Sequence, residues 1–117
     1  MLTQIRKVWP HSKIVLVSPT SSNYVLTKDK AEKALKQKSR KKIMLYGIPS
    51  FAEAFNAVLK KVADDYQAKY LDIYTDMKAL PQAEKEKLLD PNDGLHLADK
   101  GKKYLTFQYL KFIADIY

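Results

Sequence analysis

Apolar residues recur along this chain in two rhythms, one helical and one strand-like. Leu2, Ile5 and Trp9 keep a helical spacing that Pro10 ends, predicting a helix of barely two turns with no capping residue ahead of it. Lys13 to Val17, KIVLV, is a short run rich in β-branched residues and reads as a buried strand. The turn formers SPTSSN follow as a loop. Asp29 with Glu32 has the form of a cap and predicts a helix over 30–40, thinly apolar through Ala31, Ala34 and Leu35. Ser50 with Glu53 forms a capping box. Behind it Phe51, Ala54, Phe55, Val58, Leu59, Val62 and Tyr66 repeat at 3.6-residue spacing, the strongest helical pattern in the chain, over about 50–67. Tyr70 to Tyr74, YLDIY, reads as a second strand, and a short helix over 82–88 follows Pro81. Leu105, Tyr109, Phe112, Ile113 and Ile116 give a final amphipathic helix from about Asp99 to Asp115, with Asp99 placed to suit the helix dipole.

Helices alternating with strands predict a parallel sheet with helices packed against it. Only two strands are evident, and parallel sheets are normally broader and covered on both faces. The pattern therefore predicts part of an α/β domain, or one that completes itself by association.

Composition narrows this picture. The 117 residues suit one domain, and 46% apolar content is enough for a packed core. There is no cysteine, which removes disulfides, thiolate metal sites and a cysteine nucleophile. No apolar run approaches the roughly 20 residues that a membrane span needs. MLTQIRKVWPHSK lacks the apolar core of a signal peptide, so the chain as given reads as cytoplasmic, although a longer parent of it could be secreted.

The net charge of +8 is mostly local. Residues 28–42 hold eight basic and two acidic side chains. Such a cluster can bind phosphate backbones. Here it contains no aromatic for stacking on bases and no asparagine for reading them, so a solvated face is the favoured reading and nucleic acid the disfavoured one.

Chemistry concentrates in DPNDGLHLADKG, residues 90–101. Asp93 and His96 stand three apart with Gly94 between them. A histidine titrates near neutrality and serves as a general base when a carboxylate accepts its Nδ1 proton and steadies the imidazolium. In a turn the two can meet without long-range help, and Gly94 allows the turn to be tight. The plainer alternative is an aspartate capping a local turn beside a histidine that merely packs. His11 has no carboxylate nearby and reads as a surface residue. No metal site is evident.

DGLHLADKGKKYLTFQYL resembles the last block of the SGNH hydrolases, or GDSL-type esterases: D-x-x-H, a glycine soon after, then an amphipathic helix. PHSKIVLVSP is similar to that family's fourth strand with its preceding proline. FNAVLKKVADDYQAKYLDIYTDM is similar to its long asparagine-bearing helix and last strand, with Asn56 and Asp72 in the matching positions. The resemblance spans nearly all of the chain. It implies a flavodoxin-like three-layer α/β/α fold with a parallel sheet, and hydrolysis of esters of small acids or acylated sugars without a cofactor. It carries His96 over as general base and Asp93 as the acid that orients it.

The resemblance also implies groups that these 117 residues do not contain. The family's serine lies in a G-D-S block, and its oxyanion donors include the asparagine of G-x-N-D. A base without a nucleophile forms no acyl-enzyme, and each missing oxyanion donor forfeits about 3–4 kcal/mol. Ser18, Ser21 and Ser22 follow the first strand and are candidates for lining a substrate site or for a substitute nucleophile. Their loop has no glycine for a strained turn, which favours the lining role. The expectation is the C-terminal portion of an ester hydrolase, inactive alone, as a truncated product, a fragment, or a subunit completed by an N-terminal half. The alternative is a non-catalytic module that forms a homo-oligomer through an open KIVLV edge and uncovered helix faces.

Overall fold

The computed structural model describes residues 1–36 and 48–117. Its elements run α1 (Leu2–Val8), β1 (Val15–Val17), α2 (Tyr24–Lys36), α3 (Pro49–Asp65), β2 (Lys69–Leu71), α4 (Ile73–Ala79), α5 (Gln82–Leu88) and α6 (Asp99–Ile116). The fold is α/β. β1 and β2 pair in parallel, with Val15 opposite Lys69, Leu16 opposite Tyr70 and Val17 opposite Leu71.

Side chains alternate across a strand, so this register sorts the two faces. Leu16 lines a cavity with Leu59 and Val62 of α3. Leu71, one residue out of phase with Tyr70, lines another with Gln108 and Phe112 of α6. Helices thus lie against both faces. Both strands end at the same rim, where Ser18 follows β1 and Asp72 follows β2. A buried apolar cluster forms among α4, α5 and α6, where Met77, Leu88 and Leu89 pack against Leu80, Leu97 and Tyr104.

Four predicted boundaries or faces move, each for a local reason. The helix placed at 30–40 begins at Tyr24, because the Asn23 carbonyl accepts the Leu26 and Thr27 amides and opens it there. Residues 37–40 and the side chains of Ala31, Ala34 and Leu35 lie outside the described part. The Ser50–Glu53 capping box does not form. Pro49 takes the first helical position after Ile48, where its missing N–H costs nothing. Glu53 turns away to meet Lys78 and the Tyr74 hydroxyl.

α3 is also rotated from its expected face. Ala52, Asn56 and Ala63 are buried, while Phe51, Phe55 and Val58 are exposed, Val58 by 61%. Small residues let the helix approach, and the bulky ones flank the contact. Finally, YLDIY is not one strand. Pairing stops at Leu71, and Ile73 and Tyr74 open α4. Asp72 caps that helix: Oδ1 accepts the Thr75 amide at 3.0 Å and Oδ2 accepts the Thr75 hydroxyl at 2.6 Å. A carboxylate at this point offers the backbone a helix start that outcompetes another strand residue.

α5 and α6 lie where the pattern predicts, and Gly101 explains how closely they pack. A β-carbon at position 101 would stand 2.0 Å from the Leu88 carbonyl oxygen. Only glycine permits this crossing of the α6 first turn over the α5 terminus.

Candidate functional site

The loop from Asp90 to His96 is closed at its base. Leu89 and Leu97 form an antiparallel bridge, the Asp90 amide donates to the His96 carbonyl at 2.8 Å, and the Ala98 amide donates to the Leu88 carbonyl at 2.9 Å. Inside the closure the backbone turns twice on carboxylates. Asp90 Oδ1 accepts the Asn92 amide at 2.7 Å. Asp93 Oδ1 accepts the amides of Leu95 at 2.8 Å and His96 at 3.0 Å. Aspartate favours such turns because its short side chain reaches its own downstream backbone. Gly94 between them takes φ +66°, the left-handed region.

This turn leaves Asp93 Oδ2 facing His96, whose Nδ1 hydrogen-bonds to it. One carboxylate therefore holds both the backbone and the ring of His96. The ring is exposed, and Nε2 has no partner among the described residues. Asp93 titrates well below its ordinary 3.8, at about 2. The Leu95 amide is the main cause, opposed by partial desolvation and reinforced by the His96 ring and amide. His96 is raised above 6.5, first by its hydrogen bond to Asp93, then by the Asp93 charge and more weakly by that of Asp90. Chemically this is an oriented imidazole with enhanced basicity and an open nitrogen.

The loop is seated against the rim of the sheet. The Asn23 amide donates to the Gly94 carbonyl at 2.8 Å, and Asn23 Oδ1 accepts from Gln82 Nε2 at 2.8 Å. A β-carbon at Gly94 would come within 3.2 Å of the Asn23 carbonyl and of the Thr27 methyl. The segment carrying Ser18, Ser21 and Ser22 thus meets the segment carrying Asp93 and His96, at Asn23 and Gly94. No known protein-family model matches the chain, and no curated protein matches it.

The three serines differ in what surrounds them. Ser18 is buried, and its Oγ accepts the amides of Ile73 and Tyr74, each at 2.9 Å. Its hydroxyl is committed to the start of α4. Ser21 is buried and donates to the Ser22 carbonyl at 3.4 Å, while Ser22 is half-buried. His11 is exposed. The described residues contain no group of three or more His, Asp and Glu side chains placed to hold a metal, and no helix long and apolar enough to cross a membrane. Of the basic stretch 28–42, residues 37–42 lie outside the described part; Lys28, Lys33 and Lys36 are exposed on α2.

Sequence reasoning missed Asn23 and Gln82, which seat the loop. Their roles depend on contacts 59 and 71 residues apart, and no local pattern announces them. Asp90 was more accessible: D-P-N-D places two turn-forming carboxylates three apart, which is the signal of a doubly turned loop.

Proposed function

We propose that this chain supplies the Asp–His part of a Ser–His–Asp ester hydrolase of the SGNH type, within a flavodoxin-like three-layer α/β/α fold. The observation that carries the proposal is the His96 ring, fixed through Nδ1 by Asp93 with Nε2 open. Its seat at the carboxyl rim of a parallel sheet adds support, because open α/β sheets gather their ligands there. In this reading Nε2 takes the proton from an attacking hydroxyl, and Asp93 steadies the imidazolium without itself being protonated. Ser18 is occupied as a cap, so the hydroxyl and the oxyanion donors come from a partner polypeptide. Substrates are esters of small acids or acylated small molecules.

The test is complementation. The chain is mixed with a polypeptide carrying G-D-S and G-x-N-D blocks, and hydrolysis of p-nitrophenyl acetate is followed. Turnover is expected in the mixture alone, and Asp93→Asn should reduce it by about 10²–10⁴. A folded mixed complex that stays inert ends the proposal.

A second reading, a non-catalytic module that forms a homo-oligomer, is favoured by different observations. The two-stranded sheet has unpaired edges among the described residues, and large apolar side chains on α3 and α6 face outward. Phe107 and Leu110 are exposed by 63% and 62%. Both readings can hold together.

A further inference from the structure

A cavity of about 340 Å³ opens between the middle of α3 and the β2–α4 junction. It lies within the size range of small-molecule sites. It shares no residue with the Asp93–His96 loop. Asn56 lines it, is only 8% exposed, and has a carboxamide oxygen with no hydrogen-bond partner. A buried amide oxygen left unpaired is costly, and native interiors rarely keep one without use. α3 could have carried alanine here, as it does four residues before at Ala52.

We infer that this cavity binds a small neutral polyhydroxylated molecule, a monosaccharide or cyclic polyol, through Asn56 and Lys60. The charges around it favour neither a simple anion nor a simple cation. Lys60 and Lys78 face Glu53 and Asp72, so the lining carries no net charge. Lys78 is already paired with Glu53, and Asp72 with Thr75. What remains is the Asn56 carboxamide, whose oxygen rests buried and unpaired, and, among the described residues, a Lys60 ammonium with no protein partner. A hydroxyl group donates and accepts at once, and adjacent hydroxyls on one ring satisfy both residues together. A carboxylate or phosphate would satisfy Lys60 while meeting the carboxylates of Glu53 and Asp72. The terminal torsion of asparagine is broad, so the carboxamide turns its oxygen toward an incoming hydroxyl at little cost.

The test uses nitrogen–proton correlation spectra of the full chain, titrated separately with glucose, N-acetylglucosamine, myo-inositol, sodium phosphate and sodium acetate. At least one neutral probe should move the Asn56 side-chain amide and the Thr75 backbone signal, with a Kd of about 1–10 mM, typical of a ligand with so few atoms. Lys60→Met, an exposed change that leaves the core untouched, should weaken that binding about tenfold, and Asn56→Ala should abolish the response of Thr75. Three results overturn the inference: no neutral probe moves the Asn56 amide, the binding survives Lys60→Met unchanged, or only phosphate or acetate binds. The readout is occupancy at Asn56 and not ester cleavage, so this inference and the hydrolase proposal can fail separately.

Discussion

At Gly101 the absence of one carbon decides how two helices meet. The Leu88 carbonyl it would strike is backbone already engaged by the Ala98 amide, so the clash has no flexible side chain to absorb it. Gly101→Ala should cost about 3 kcal/mol or more, at the upper end of overpacking effects. Urea unfolding would show this as a lowered midpoint at unchanged slope. The dyad yields a second prediction at this scale, read from pH. Asp93 falls from 3.8 to about 2 on folding, so its contribution is present above pH 3.8 and is lost as pH falls towards 2. His96 is raised above 6.5, so its contribution is complete below 6.5 and is lost as pH rises through the raised value. The two overlap only in part, because the Leu95 amide is the main cause of the Asp93 shift; the ring–carboxylate pair they share is strongest between those limits. Titration of the His96 ring by proton NMR should give a midpoint above 6.5, and Asp93→Asn should return it towards 6.5. An unshifted midpoint in the native chain would show that the carboxylate does not hold the ring in solution.

At the scale of elements, α4 is short and depends on its caps. Ser18 accepts two amides and Asp72 one, so three of the orphan donors at its start are satisfied from two side chains. Ser18→Ala should cost about 1–3 kcal/mol by stranding two buried amides, and Asp72→Ala about 1 kcal/mol. Thermal unfolding of both variants checks the order. If Ser18 were instead free to serve as a nucleophile, its alanine variant would be nearly neutral in stability. α4 is also where the sequence was hardest to read. The run YLDIY satisfies a strand pattern, and the decision to stop at Leu71 is shared between the Asp72 cap within it and Ser18, a residue 55 positions from Ile73. The strand within KIVLV, which covers only Val15–Val17 and is half-buried rather than buried, the helix over 82–88 and the helix from Asp99 were legible because their periodicity and punctuation are local. The rotation of α3 was not, since Phe51, Phe55 and Val58 satisfy helical spacing as well as the small residues that are buried. The Asp93–His96 pair was legible for the opposite reason: its whole geometry is contained within one turn.

The whole molecule presents apolar surface on two helices. Phe51, Phe55 and Val58 stand one turn apart along α3, and Phe107 and Leu110 along α6. Large contiguous patches of this kind favour association. Light scattering at micromolar concentration should therefore report a species heavier than 13.5 kDa, and replacing Val58 and Leu110 by lysine should shift it towards the monomer. A wild-type chain that scatters as a monomer would remove the oligomer reading. It would leave the dyad untouched, because no residue of that turn belongs to either patch.

The bridge between Leu89 and Leu97 has a kinetic corollary. Everything that aims the imidazole is gathered within a few neighbouring residues, and closing so short a loop takes well under a microsecond. On the proposed hydrolase reading, a counterpart bringing the hydroxyl would dock onto an imidazole already aimed rather than having to organise it.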